Sequence, residues 1–305
     1  MQTTPSATTA ETKCLFVTLG MLVLDELHSY GQNPKVNVIG GSGVYACLGA
    51  RLYLPPPMSH RLGWLIRTGD DFPHTIREYF HSWNILLLET RNRGQLSTRG
   101  ELIYQGTTFG PKTFRYTTKP LKIEPRDLID TPLLSSSSIH FLTSPVDAID
   151  QIPQVLRLRH SRGIEEPLTI IWEPAPPSCI SPNMAACFEA VELVDVSSPN
   201  YIELAALFDV DLSDEERFDP AIIENLAHKC LAHGIGSSKQ GSVIVRAGRE
   251  GCCIYSRKRK ALVWLPAFYL DSSRIVDPTG AGNAFLGDLL KAPVLWNGAI
   301  VRGRL

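Results

Sequence analysis

The stretch Arg274-Ile-Val-Asp-Pro-Thr-Gly-Ala-Gly-Asn-Ala-Phe-Leu-Gly287 decides how this chain reads. Two β-branched residues, Ile275 and Val276, feed Asp277-Pro278-Thr279. Gly280-Ala281-Gly282 follow, and then an apolar segment that reads as a helix. A strand, a glycine turn and a helix in that order place the helix's free N–H groups at the turn. Those groups and the helix dipole make an anion site, and glycine lets the backbone approach the anion closely. Asn283 falls in the first helical turn and points at the same place. A glycine-rich connection that binds nothing fits the same residues.

Working outward, the rest of the chain is ordinary in bulk. Its 305 residues are 44% hydrophobic and 20% charged, enough for one large α/β domain or two modest ones. A net charge of −1 gives no global electrostatic case for nucleic acid or an acidic membrane. The seven cysteines lack metal-like spacing and read as reduced thiols. Residues 1–12 are polar and Thr-rich, with neither the basic start nor the apolar core of a signal peptide. A disordered lead-in and a cytoplasmic, intracellular protein are expected.

Residues 15–24 form an apolar run that reads as a buried strand leaving its sheet near Gly20. Gly40-Gly41-Ser42-Gly43 opens a helix that Pro55-Pro56-Pro57 ends. Strand and helix patterns then alternate: strands at 61–66 and 85–88, with a helix from Pro73 to about Trp83 between them. Residues 90–119 change character, polar and glycine-punctuated, and predict short antiparallel strands projecting from the main sheet. Alternation resumes at 139–142, with a helix over 145–162 that Pro153 is expected to break or restart. Further strands fall at 168–172, 194–197 and 242–246, and a hairpin at 252–256 and 261–265 encloses the basic tip at 257–260, a solvated turn. Repeated β-α alternation predicts a mainly parallel sheet with helices on both faces, and ligands at the carboxyl ends of its strands. Neither a P-loop motif nor an early G-x-G-x-x-G is present, which argues against a P-loop enzyme and a nicotinamide dehydrogenase.

A series of small motifs remains, in a fixed order: Gly40-Gly41-Ser42-Gly43, Thr68-Gly69-Asp70-Asp71, Glu173-Pro174-Ala175-Pro176, Pro199-Asn200-x-x-Glu203, Ala247-Gly248-Arg249-Glu250-Gly251 and Asp277 through Asn283. Together they resemble the ribokinase-like (PfkB) carbohydrate kinases, in detail the fungal maintenance-of-killer branch. The resemblance implies a three-layer α/β/α sandwich with a small β lid. It implies a kinase domain over 13–291, with the lid inserted at about 90–119 and an atypical tail over 292–305. The implied activity is transfer of the ATP γ-phosphate to a hydroxyl of a sugar or nucleoside, with Mg²⁺. That chemistry rests on positioning and electrostatics, with little covalent work by the protein.

The resemblance also implies roles. Asp25, Gly40, Gly41 and Tyr45 would face the acceptor; Asp25 equally suits a strand-end turn. Asn200 and Glu203 would organise Mg²⁺ and water near the phosphates, and the same pair suits a helix capping box. Gly248, Gly251 and Thr279 would adjoin the nucleotide, while Gly280, Ala281 and Gly282 would form the anion hole. Asp277 matches a monovalent-cation position, implying K⁺. A homodimer through the lid is expected, with no nucleic-acid or membrane partner.

Four departures from the family pattern stand out. Asn283 occupies the position of the aspartate that takes the acceptor's proton, and an amide cannot accept one at physiological pH. Loss of a general base costs about 10²–10⁴-fold in rate. Tyr45 stands where relatives have asparagine, and Thr143 near where they have an acid. Lys291-Ala292-Pro293 ends the last helix early, and 294–305 does not resemble the family's closing helices, so a truncated or alternatively spliced product is expected. The competing reading is a pseudokinase, a ligand-binding or interaction module without catalysis.

Overall fold

The structure is a computed structural model that describes residues 13–105, 112–214, 217–258 and 261–289. The expected lead-in and tail lie outside the described residues. The chain opens with β1 (Phe16–Thr18), β2 (Val23–His28), β3 (Lys35–Gly40), α1 (Ser42–Tyr53), β4 (Leu62–Thr68), α2 (His74–His81) and β5 (Leu86–Arg91). Next come β6 (Arg99–Tyr104), β7 (Lys112–Tyr116), β8 (Ser138–Thr143), α3 (Pro145–Ser161), β9 (Thr169–Pro174), α4 (Met184–Val191) and β10 (Val196–Ser197). α5 (Tyr201–Leu207), α6 (Pro220–His233), β11 (Ser242–Arg246), β12 (Cys252–Ser256), β13 (Ala261–Leu265) and α7 (Ala281–Asp288) follow.

Nine strands form the main sheet in the order β13-β12-β11-β10-β9-β8-β1-β4-β5. It is parallel from β5 to β11, and only β12 and β13 run antiparallel. Side chains along each strand alternate between two cores, as a period of two requires. Phe16, Trp64, Ile66, Ile171 and Ile244 pack with α1, α2 and α7 on one face. Val17, Phe141, Trp172, Val243 and Val245 pack with α3 to α6 on the other. The result is the expected three-layer α/β/α sandwich. Every cysteine among the described residues is a free thiol, and no described helix is long and apolar enough to cross a membrane.

A second sheet of four strands, β3-β2-β6-β7, sits beside the sandwich. Two of its strands, β6 and β7, come from the glycine-punctuated 90–119 stretch, and the other two come from residues 23–40. The apolar run at 15–24 is therefore shared between two sheets. It leaves the main sheet at Gly20, where a Cβ would lie 2.6 Å from the Gly43 nitrogen. The amide of Gly43 donates to the Met21 carbonyl there, tying the crossing to the start of α1.

Three further differences from the sequence reading have physical causes. α3 runs through Pro153 without a break. Its flanking turns are fixed by Ile152 and Val155, both buried against the sheet, which outweighs one missing helix hydrogen bond. α4 was not foreseen, because its short Ala- and Cys-containing sequence carries little amphipathic pattern. No strand precedes the glycine turn: Ile275 and Val276 are exposed, Val276 by 77%, in an irregular segment that follows β13. The helix start survives without that strand because α1 holds it.

Candidate active site

α7 is clamped onto α1 by close backbone approach. A Cβ at Gly49 would lie 1.9 Å from the Ala284 carbonyl oxygen, and one at Gly287 would lie 2.1 Å from that of Ala46. The turn before the helix is closed by its own residues. Asp277 Oδ1 accepts the Thr279 N–H at 2.9 Å, and the Ala281 N–H donates to the Pro278 carbonyl at 3.1 Å. Gly280 is left-handed, with φ of 79°, and the ring of Tyr45 packs so tightly on it that a Cβ would sit 2.2 Å from the ring. As first-turn groups, the N–H donors of Gly282 and Asn283 have no acceptor within the helix.

One cluster of charges faces this turn from the second sheet. Asp25 on β2 is 6% exposed, and its Oδ1 is buried with no hydrogen-bond partner. Burial raises its carboxyl to about 6, against the pull of Lys112 on β7. The carboxylate fits only because its neighbours lack side chains: a Cβ at Gly40 would lie 1.9 Å from Oδ2, and one at Gly100 2.8 Å from Oδ1. Lys112 donates to the Thr279 hydroxyl and lies over the Tyr104 ring. Burial lowers the lysine's pKa, opposed by Asp277 and Asp25. Burial raises the Tyr45 phenol, with Asp25, Asp277 and Tyr104 adding to the shift. Gly40→Ala is expected to cost about 1–3 kcal/mol by overpacking and to displace Asp25. Urea denaturation beside ligand titration checks both effects.

A second cluster lies behind the turn. Glu173 lies near the end of β9, is 4% exposed, pairs with Arg246, accepts from Asn283 and stands beside His140. Arg246 Nη1 lies 2.8 Å from its Oε1. Asn283 Nδ2 donates to Oε2 at 2.6 Å, and His140 Nε2 stands 3.4 Å from the same oxygen. His140 Nδ1 meets the Thr18 hydroxyl at 3.0 Å, and that hydroxyl accepts the Gly20 N–H. A proton on Nε2 is the tautomer assigned from these partners. Arg246 Nη2 reaches the Ser198 carbonyl at 2.9 Å and Glu203 Oε2 at 3.4 Å, while Nε is buried without a partner. Burial pushes Glu173 up, but Arg246, His140 and Asn283 outweigh it and hold the carboxyl below its ordinary value. Glu203 goes the other way: burial raises it to about 7, against Arg246 and the Asn200 N–H.

The structure thus brings Asp25, Gly40, Tyr45, Asp277 and Thr279 together on one side of the turn, and Asn200, Glu203, Gly282 and Asn283 on the other. Asn200 and Glu203 do form a capping box at the start of α5, at 2.7 and 2.8 Å, and Glu203 serves Arg246 as well. Gly41 is needed for packing, with φ of 97° and a Cβ position 2.4 Å from the Met21 carbonyl oxygen. Gly251 is likewise a packing glycine, since a Cβ would meet the Leu265 carbonyl oxygen at 1.9 Å. Gly248 faces open space. Sequence reasoning missed His140, Arg246, Tyr104 and Lys112, and treated Glu173 only as part of a motif. An arginine and a glutamate at the carboxyl ends of two parallel strands, β11 and β9, were the available signal; His140 lies mid-strand in β8 and gave none. No three His, Cys, Asp or Glu side chains converge as a metal site among the described residues.

These parts define a kinase-type fold. Residues 18–295 match the sequence profile of the pfkB family of carbohydrate kinases, and the chain belongs to that family. It is 30% identical over 292 residues to protein MAK32 of Saccharomyces cerevisiae, covering 91% of this chain and 78% of the relative, consistent with the maintenance-of-killer branch. Among solved structures, the ribokinase of Giardia lamblia superposes with a TM-score of 0.70 at 15% identity, covering 96% of this chain and 86% of that one. A putative ribokinase II from E. coli in complex with ATP and Mg²⁺ superposes with a TM-score of 0.63 at 16% identity, covering 95% and 88%.

Proposed function

We propose that this protein binds ATP with Mg²⁺ and transfers the γ-phosphoryl group slowly to a hydroxyl of a sugar or nucleoside. The observation that carries the reading is the helix start at 280–283, whose open N–H donors, those of Gly282 and Asn283, lie between the acceptor-side carboxylate of Asp25 and the buried Arg246–Glu173–Glu203 cluster. The residues present fit a triphosphate: first-turn N–H donors, an unpartnered buried Nε on Arg246, and open space at Gly248. ATP supplies the phosphoryl group and Mg²⁺ neutralises its charge. Glu203 would hold that ion through water, with the phosphates supplying further ligands. A monovalent cation at Asp277 would compete with the Lys112 ammonium for the same charge.

The chain's own residues divide the work. Asp25 Oδ1, buried and without a partner, accepts a hydrogen bond from the acceptor. Lys112, delivered by the second sheet and bonded to the Thr279 hydroxyl, would meet the charge of a phosphate bound beside it. Asn283 orients the reacting hydroxyl but does not take its proton, so turnover is slow. ADP release over a panel of sugars and nucleosides tests this, with acceptor-dependent rates expected about 10²–10⁴-fold below base-bearing enzymes. Lys112→Ala is expected to lower acceptor kcat/KM by about 10²-fold, with Lys112→Arg recovering part of it. ATP binding with no ADP release for any acceptor overturns the kinase reading and leaves the pseudokinase, which the missing base at 283 favours.

A further inference from the structure

Asn283 stands where a carboxylate is expected, and a carboxylate stands against it. The bond from Asn283 Nδ2 to Glu173 Oε2, 2.6 Å long, settles the flip of the amide, because a carboxylate can only accept. Nδ2 is committed to Glu173, and Oδ1 is left as the acceptor that a substrate hydroxyl would meet. Glu173 is itself held by Arg246 from β11 on Oε1, with His140 Nε2 of β8 3.4 Å from Oε2. Glu203 on α5 shares Arg246 and completes the charged surroundings.

We infer that acid and amide have exchanged places in this centre: Glu173 carries its negative charge, and Asn283 is the arm that Glu173 orients toward the acceptor hydroxyl. Glu173 is thus a positioning residue that acts through Asn283. No proton is moved by the pair; the carboxylate fixes which end of the amide meets the substrate. This rests on the kinase reading for its functional side, while the pairing is readable in the folded protein alone.

The exchange has a consequence that a simple missing base does not. Asn283→Asp alone would set a second carboxylate against Glu173 at hydrogen-bond distance. Two such groups share one proton instead of ionising together. Arg246 keeps Glu173 as the ionised member, so the shared proton sits on the carboxyl at 283 and the variant gains no working base while Glu173 remains. Reversing both positions, Asn283→Asp with Glu173→Gln, restores one acid and one amide, with the acid at the helix start.

The experiment measures Tm at pH 5 and pH 8 and ADP release for wild type, both single variants and the double. Asn283→Asp is expected to lose Tm, more at pH 8 than at pH 5. The paired carboxylates have a raised pKa, so that stability is present at low pH and lost as pH rises. Glu173→Gln is expected to lower kcat by about 10-fold with a small change in the KM for ATP, because a glutamine no longer dictates the flip. The double variant is expected to recover Tm, to lose the extra pH dependence, and to release ADP on the order of 10²-fold faster than wild type. Additive Tm losses in the double variant overturn the exchange, as does full activation by Asn283→Asp alone. Recovery of Tm and its pH dependence without ADP release by any variant upholds the exchanged pair and overturns the kinase reading instead.

Discussion

Arg246→Met is expected to lower the free energy of unfolding by about 3–5 kcal/mol. The guanidinium bridges Glu173 at 2.8 Å and Glu203 at 3.4 Å and donates to the Ser198 carbonyl at 2.9 Å, all in a buried setting. Methionine keeps much of the side-chain volume, so little packing is lost. What is lost is the cation between two buried carboxylates that enter from β9 and α5. Left together without it, they must take up protons, and the destabilisation is expected to be larger at pH 8 than at pH 5. Urea denaturation at the two pH values measures this. Adding Glu173→Gln and Glu203→Gln to the variant is expected to return much of the loss, because the penalty is the uncompensated charge and not the missing contact. A loss below about 1 kcal/mol in the single variant, typical of an exposed ion pair, would show that the cluster is solvated. The same variant is expected to weaken ATP binding, since the guanidinium lies against Gly282, where a Cβ would come within 2.2 Å of Nη1.

The fold was legible where periodicity and punctuation agreed. β11, β12 and β13 match their expected bounds, and Asp219 caps α6 as its position before Pro220 implies. Strand membership was less legible, because it is settled by partners far along the chain. Residues 15–24 look like one buried run, yet β1 pairs with β4 and β8 while β2 pairs with β3 and β6. β3 is a short edge strand exposed over Lys35, Val36 and Asn37, so it carries no buried apolar run to mark it. The turn at 277–283 was found from its glycines, but for an incomplete reason. No strand leads into it; α1 clamps the helix instead, through contacts at Gly49 and Gly287 that no local pattern encodes. The charged cluster was hidden for the same reason. Arg246 and Glu173 are 73 positions apart in number and meet only because β9, β10 and β11 lie side by side. Motif reading picked out Asn283 as a deficiency, and only the folded chain shows the acid that faces it.

Asp25→Asn is expected to make the protein more stable at pH 8 and much poorer at its chemistry. The carboxyl of Asp25 is raised by burial from 3.8 to about 6, so the folded state holds its proton more tightly than the unfolded chain does. For a raised group the stabilising contribution is complete below the unfolded value and is lost as pH rises through the folded one. The window is therefore about pH 4 to 6, and by pH 8 the ionised carboxylate weighs against folding by about 1–3 kcal/mol. Glu203, raised to about 7, acts in the same direction. Glu173, lowered, acts in the opposite one and only at more acidic pH. Wild type is thus expected to melt higher at pH 5 than at pH 8, and the Asp25→Asn variant to flatten part of that slope. In function the signs reverse. A buried, unpartnered Oδ1 costs stability unless an acceptor hydroxyl meets it, and a hydrogen bond to a charged group is worth about 1.5–3 kcal/mol. Asp25→Asn is accordingly expected to reduce kcat/KM for the acceptor by about 10–10²-fold, with ATP affinity changed little. A variant that loses both stability and acceptor binding would make Asp25 an ordinary structural acid; a gain in one with a loss in the other marks a residue kept strained for its ligand.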